Sequence, residues 1–288
     1  MKVAGFTFIR NAVRYDYPVI ESITSLLPLV DELVVCVGDS TDGTLALING
    51  IGSPKIKIIH SVWDDALREG GKILAVETNK ALAAVASDAD WCFYLQGDEV
   101  LHEEDYQSIR EGMLRYKDDV KVEGLLFNYR HFYGSYQYLG NSRKWYRHEI
   151  RIIRNHIGVY SYKDAQGFRI EKRKLNVKSI DAYIYHYGWV KNPHFQTEKQ
   201  KSFHKLWHSD ETVKNMVQAD EYDYNAIDSL ALFAGNHPAV MANRISAVDW
   251  DFQFDVSKVK VKFKYRILNY IEKVTGHRLF EYKNYHKI

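Results

Sequence analysis

The stretch Asp90-Trp91-Cys92-Phe93-Tyr94-Leu95-Gln96-Gly97-Asp98-Glu99 decides the fold. Its aromatic and apolar run over 90–96 reads as a buried strand, and it ends abruptly at a glycine followed by two acids. Asp98 and Glu99 therefore sit at the carboxyl end of a strand, the edge of an open α/β sheet where ligands bind. Two readings are open there. The pair holds a divalent cation, and through it a diphosphate that carboxylates alone would repel. Alternatively the acids form a turn that, with Glu103, Glu104 and Asp105, faces the positive end of the next helix.

Working outward, strand and helix patterns alternate before this stretch. Residues Lys2 to Ile9, Leu33 to Val37 and Lys55 to His60 read as strands. Tyr17 to Leu27, Thr44 to Ile48 and Lys72 to Ser87 read as helices, the first with Val19, Ile20, Ile23, Leu26 and Leu27 at helical spacing. Four strands separated by helices predict a parallel Rossmann-like sheet. Two of its loops are polar: Arg10-Asn11-Ala12-Val13-Arg14, and Gly38-Asp39-Ser40-Thr41-Asp42-Gly43-Thr44. The second either starts a helix or presents hydroxyls, carboxylates and N–H groups to a nucleotide. No Gly-rich phosphate loop follows the first strand, which argues against a dinucleotide dehydrogenase or an ordinary ATPase.

After a charged helix at 103–116 the pattern changes. Val122 to Tyr129, Glu149 to Arg154 and Asp181 to His186 read as strands without intervening helices, so this part is antiparallel or mixed. Asn192 to Met216 reads as one charged helix, on which His204 and His208 fall one turn apart: the spacing of a metal-binding pair, but with no third ligand apparent nearby the favoured reading is a solvated helix face. Lys258, Lys260, Lys262 and Lys264 alternate with Val259, Val261 and Phe263 at a strand period.

Composition narrows the function. The 39 basic and 37 acidic residues nearly cancel at +2, so no general field recruits nucleic acid. Basic surface is local: from Ser257 onward there are nine Lys or Arg against two Glu, which suits a solvated edge or peripheral contact with an anionic membrane. The two cysteines, Cys36 and Cys92, fall in apolar runs and read as buried thiols. With no apolar run long enough to span a bilayer and no signal-like start, the expectation is a cytoplasmic protein, its basic tail suited to association with the inner membrane face. The 21 Tyr and 6 Trp suit either a ring-lined groove for sugars or bases, or core filling.

Three loops in order resemble the family 2 glycosyltransferases of the GT-A fold, of the bacterial surface-polysaccharide type. Phe8-Ile9-Arg10-Asn11 is similar to the segment lying against the nucleotide base. Val37 to Thr44 is similar to the Asp-x-Gly-Ser-Thr-Asp-Gly-Thr signature. Leu95-Gln96-Gly97-Asp98-Glu99 resembles the metal-binding Asp-x-Asp motif, with Gln96 in place of the first acid. The resemblance covers about the first hundred residues and thins to shorter matches, such as Tyr185-His186-Tyr187-Gly188-Trp189.

The resemblance implies a GT-A Rossmann-like mixed sheet flanked by helices. It divides the chain into a nucleotide-sugar half at 1–100, an acceptor half at 101–190 and a helical, basic extension at 191–288. The implied activity is metal-dependent, inverting transfer of a sugar from a nucleotide-diphosphate donor, UDP-linked by expectation, to a saccharide or lipid-linked acceptor. Arg10, Asn11, Asp39, Ser40 and Asp42 would contact the nucleotide, with Lys72 or Asn79 completing that pocket beside Trp63 and Asp64. Asp98, Glu99 and His186 would hold Mn²⁺ or Mg²⁺. Asp164 would be the general base with Glu149 in reserve, and Tyr and Trp residues between 129 and 145 would line the acceptor groove. A nucleotidyltransferase and a non-catalytic nucleotide-sugar binder are the alternatives.

Overall fold

The computed structural model describes residues 1–288 except 65, 68, 208, 209 and 217–219. Among the described residues the strands are β1 (Val3–Ile9), β2 (Glu32–Val37), β3 (Ile56–His60), β4 (Trp91–Tyr94), β5 (Glu99–Leu101), β6 (Gly124–Tyr133) and β7 (Ser135–Gly140). They continue with β8 (His148–Arg154), β9 (Tyr160–Tyr162), β10 (Gly167–Ile170), β11 (Arg173–Lys174), β12 (Asn176–Trp189), β13 (Leu230–Leu232) and β14 (His286–Lys287). The helices are α1 (Val19–Leu26), α2 (Thr44–Asn49), α3 (Lys72–Ala83), α4 (Tyr106–Arg115), α5 (Pro193–Lys205), α6 (Asp210–Met216), α7 (Ala242–Ser246) and α8 (Phe263–Thr275).

The main sheet runs β13-β7-β6-β8-β4-β1-β2-β3, with β12 joining β6, β5 and β14 to it. Strands β3, β2, β1 and β4 are mutually parallel. From β4 onward, β8 and β6 follow antiparallel. This is the mixed Rossmann-like sheet flanked by helices that the sequence predicts.

Burial on both faces explains the near-continuous apolar strands. Leu33, Val35, Val37, Trp91 and Phe93 enter one core layer with Val19, Ile23, Ile109 and Met113. Their neighbours Val34, Cys36, Cys92 and Tyr94 enter the opposite layer with Ala81 and Phe168. Each strand thus feeds two cores at period two. The two cysteines are buried and free.

Strand β12 positions the site. It lies parallel to β6 and antiparallel to β5, with His186 opposite both His131 and Glu99. The Tyr187 N–H donates to the Asp98 carbonyl at 2.8 Å, so the end of β12 is sewn to the loop after β4.

Three expectations differ from the structure. The 192–216 stretch forms two helices, α5 and α6, and His208 lies outside the described residues. The Lys-Val alternation at 258–263 joins no strand, and from Phe263 the chain is helical. There Phe263, Ile267, Tyr270 and Val274 recur at helical spacing, a longer pattern than the alternation preceding it. Most rings between 129 and 145 do not line a groove: Tyr133, Tyr136 and Tyr138 are buried in aromatic clusters with Tyr187, Tyr224 and Phe252. No helix among the described residues is long and apolar enough to cross a membrane.

Candidate functional site

A cleft of about 980 Å³ opens where β1 and β4 end. The loops after β1 and β2 meet there by mutual hydrogen bonding. Asn11 adopts a left-handed backbone (φ 53°), which asparagine tolerates better than most residues. Its N–H donates to Ser40 Oγ at 3.0 Å, and its Oδ1 accepts from the Thr41 N–H at 2.9 Å. Asp42 accepts from the N–H of Arg14 at 2.8 Å and of Thr44 at 3.0 Å. Burial would raise the Asp42 carboxyl, but these hydrogen bonds and that of the Thr44 hydroxyl hold it below the usual range. Ser40 and Asp42 thus brace the loops.

Arg10 and Asp39 pair at 3.0 Å, and the Arg10 guanidinium lies 5.2 Å from the centre of the Trp63 ring. Trp63 donates its backbone N–H to Asp39 at 3.3 Å, while its buried indole N–H has no hydrogen-bond partner among the described residues. Position 38 must stay glycine, because a Cβ there would meet Trp63 Nε1 at 2.5 Å. The result is a flat cationic and aromatic slot at one end of the cleft. Two residues assigned to that pocket lie elsewhere. Asn79 exchanges two hydrogen bonds with the Ser161 backbone, tying α3 to β9, and Lys72 is exposed at the start of α3 outside the cleft.

At the strand end the two acids part. Glu99 is wholly buried: Arg151 Nε and Nη2 donate to its oxygens at 2.8 and 2.7 Å, the Tyr129 hydroxyl donates at 2.7 Å and the Gln96 N–H at 3.1 Å. This corrects the expectation that Glu99 ligates a metal, since both its oxygens are engaged inside the protein. Asp98 faces the cleft instead. Its Oδ2 lies 3.2 Å from Lys199 Nζ and 3.8 Å from His186 Nε2. Burial would raise its carboxyl, but the Lys199 ammonium foremost holds it down at about 2. A Cβ on Gly188 would lie 2.5 Å from that same oxygen, so only glycine fits there.

The hydrogen bonds fix the histidine tautomers. The Tyr146 carbonyl can only accept, so His131 Nε2, 2.8 Å away, carries the hydrogen. Burial keeps both His131 and His186 below the usual imidazole range. Neutral His131 therefore accepts at Nδ1 from His186 Nδ1, 3.2 Å away. This leaves a bare lone pair on His186 Nε2, on the side of Asp98.

As arranged, these residues do not fit a divalent cation. Asp98 is paired with an ammonium, Glu99 is engaged by Arg151, and Gln96 brings an amide. No group of three or more His, Cys, Asp or Glu among the described residues is disposed to hold a metal ion.

The amide of Gln96 has its own explanation. Gln96 Nε2 donates to the Ala165 carbonyl at 2.9 Å, which an ionised acid could not do. That bond ties the end of β4 to the loop carrying Asp164, a cleft-lining residue whose carboxyl is raised by burial. Glu149, the reserve base, is not among the cleft residues; burial raises it to about 7, and Gln166 donates to one of its oxygens at 2.7 Å.

Sequence reasoning missed Lys199, Lys191, Arg151 and His131. A charged residue within the apolar run of β8 flags Arg151 as needing a buried partner. Nothing in the pattern of α5 distinguishes Lys199 from its solvated neighbours.

Fold and cleft together define a Rossmann-like α/β protein with a ligand site at the carboxyl edge of its parallel strands. No family model matches the chain, and neither does any curated protein. Solved structures with some likeness include S. aureus TarS (17% identity over 70% of this chain and 39% of that one, TM-score 0.42). Others are TarS 1–349 in complex with UDP (14%, 75% and 70%, 0.38) and glucosyl-3-phosphoglycerate synthase from Mycobacterium tuberculosis with Mn²⁺, UDP and phosphoglyceric acid (17%, 46% and 43%, 0.31). The matched region spans about two fifths of the TarS chain in the first of these. Likeness at this level leaves function to the site itself.

Proposed function

We propose that this chain transfers a sugar from a nucleotide-diphosphate donor to an acceptor hydroxyl, with inversion at the anomeric carbon. The observation that carries the reading is the sequence of environments along one cleft. The Arg10–Trp63–Asp39 slot suits a flat base, Asp98 with Lys199 suits a diphosphate, and Asp164 borders the same space. A non-catalytic binder would not need a half-buried carboxyl held on a braced loop at the border of the same cleft.

In this reading the donor's anomeric C–O bond breaks and its electron pair passes to the diphosphate oxygen. The acceptor oxygen attacks from the opposite face, and its proton passes to Asp164. A carboxyl raised by burial suits that task, being a better proton acceptor than a free aspartate. UDP is the expected nucleotide, and a saccharide or a lipid-linked saccharide of surface-polysaccharide synthesis the expected acceptor.

The second half of that acceptor reading rests on α8. Its residues Phe263, Ile267, Tyr270 and Val274 are exposed along one stripe, and Lys262, Lys264, Arg266 and Lys273 surround it. Glu272 is held by Arg143 at 2.6 Å and by Arg147 at 3.2 Å, which fixes the opposite side of the helix to the protein. An apolar stripe edged with cations fits an anionic lipid surface. Sedimentation with phosphatidylserine vesicles, but not with neutral phosphatidylcholine vesicles, is the expected result, and Phe263→Glu should abolish it.

The deciding test is a donor screen. Purified protein is mixed with UDP-, GDP-, CMP- and dTDP-sugars, with and without Mn²⁺, and free nucleotide and sugar transfer are measured. One donor should turn over, and Asp164→Asn should stop turnover while leaving nucleotide binding intact. No binding of any nucleotide sugar would sink the reading.

A further inference from the structure

The space beside Asp98 contains a positive charge that no sequence motif provides. Lys199 Nζ lies 3.2 Å from Asp98 Oδ2, 2.8 Å from the Gly188 carbonyl oxygen and 4.9 Å from the centre of the Tyr17 ring. The bare His186 Nε2 faces the same carboxylate oxygen from 3.8 Å. Carboxylate, carbonyl and ring face are the surroundings of a small cation, and the ammonium has them. Its side chain is only 12% exposed, so it is held there rather than waving in solvent.

Charge decides what the place favours. Glu99 is already neutralised by Arg151, which leaves Asp98 as the negative group. Its ionic partner is Lys199, and a second lysine, Lys191, lies nearby. Lys191 is fully buried, donates to the carbonyls of Tyr15 at 2.7 Å and Asp16 at 3.2 Å, and lies 4.7 Å from the Tyr17 ring. Lys199 is the foremost charge acting on Asp98, whereas burial holds Lys191 well below the usual ammonium range. An entering divalent cation would meet a single carboxylate already paired with the Lys199 ammonium, and would have to displace it. An entering diphosphate would meet that ammonium, two of whose three N–H groups are taken by Asp98 and the Gly188 carbonyl and the third of which is left to donate.

We propose that Lys199 takes the part of the divalent cation: the diphosphate is bound by its ammonium, which Asp98 and the Gly188 carbonyl orient, and no metal ion is required. This rests on the donor reading above. During transfer Lys199 neither gains nor loses a proton. Its N–H groups donate to the diphosphate oxygens as the leaving-group charge develops, inside a cleft where such bonds are strong.

The test starts from protein stripped with EDTA. Mn²⁺ is first titrated in while its free-ion paramagnetic resonance signal is followed, which reads the site without any nucleotide. Absence of uptake at Asp98 is expected; uptake of one ion per chain that Asp98→Asn abolishes would overturn the proposal. UDP, GDP, CDP and dTDP are then titrated calorimetrically in EDTA and in Mn²⁺. The bound nucleotide should show a Kd in EDTA within about threefold of that in Mn²⁺. Lys199→Met should weaken it at least about tenfold, the loss of a charge-assisted hydrogen bond, and Lys199→Arg should restore most of it. Binding that requires Mn²⁺, or a folded Lys199→Met that binds like the wild type, overturns the proposal. Should Lys199→Met unfold, the wild-type comparison in EDTA and Mn²⁺ decides. If no nucleotide binds in either condition, the donor reading has failed, and Mn²⁺ uptake alone judges Lys199.

Discussion

Asp98 and Glu99 are neighbours in the chain and belong to different regions of the molecule. Glu99 opens β5 and turns into the core, where Arg151, Tyr129 and the Gln96 backbone engage both its oxygens. Asp98 turns to the cleft, where its partner Lys199 reaches it from α5, about a hundred residues on. Asp98 lies in the turn that joins β4 to β5, whereas Glu99 is already in the strand. One acid is therefore part of the architecture and the other part of the site, and substitutions should separate them.

The largest effect is expected on the core side. Arg151→Met leaves the Glu99 carboxylate buried and unpaired, and should cost about 3–5 kcal/mol of folding stability in urea denaturation. The packing of the Arg151 guanidinium over the Tyr94 and Tyr129 rings is lost as well. Lys199→Met should cost less than half as much, because the cleft admits water to Asp98, while it impairs nucleotide binding. Equal losses in the two variants would break the contrast.

Two pH measurements sharpen it. Burial holds Glu149 at about 7, above its usual 4.5, so the folded chain binds this proton more tightly than the unfolded one. The stabilisation is complete below pH 4.5 and is lost as pH rises to 7, by up to about 3 kcal/mol. Glu149→Gln should remove that loss and be the more stable protein at pH 8. Asp98 has the opposite sign. Its carboxyl is held at about 2 against a usual 3.8, so its contribution is present above pH 3.8 and disappears as pH falls towards 2, by about 2 kcal/mol. Asp98→Asn should flatten that acid limb, as read by denaturation midpoints between pH 2 and 5.

The contrast also marks how far the sequence could be read. The parallel half is legible because its strands are buried on both faces, and their apolar runs and intervening helical periods are strong signals. The loop positions follow from strand ends, and Arg10, Asn11, Asp98 and Asp164 line the cleft, while Asp39 is reached only through its pair with Arg10. Which way each loop side chain turns is not legible, because partners such as Arg151 on β8 and Ser161 on β9 are brought up by long-range pairing. Lys199 is the extreme case: among many lysines of a charged helix, only the register of β12 and the start of α5 bring this one to Asp98. The short strands β7, β9 to β11 and β13 carry patterns too brief to stand out, and the aromatic stretch that suggested a groove is core.

The smallest predicted effect concerns Asn79, which carries the comparison beyond the acids. Asn79 Oδ1 accepts from the buried Ser161 N–H at 2.7 Å, and its Nδ2 donates to the Ser161 carbonyl at 3.3 Å. The side chain thus stands in for a neighbouring strand at the edge of β9, whose hairpin with β10 carries Asp164. Asn79→Ala leaves that N–H without its partner and should cost about 1 kcal/mol, near the usual net value of such a bond. Nucleotide affinity should stay at the wild-type value, because Asn79 is bound to the backbone rather than to the cleft. Turnover, by contrast, should fall severalfold if the hairpin's grip on Asp164 loosens, and Ser161→Ala, which removes a 2.7 Å bond from the hydroxyl to the Asp164 carbonyl, should act in the same direction. A loss of nucleotide affinity in Asn79→Ala would instead return this residue to the pocket and redraw the line between architecture and site.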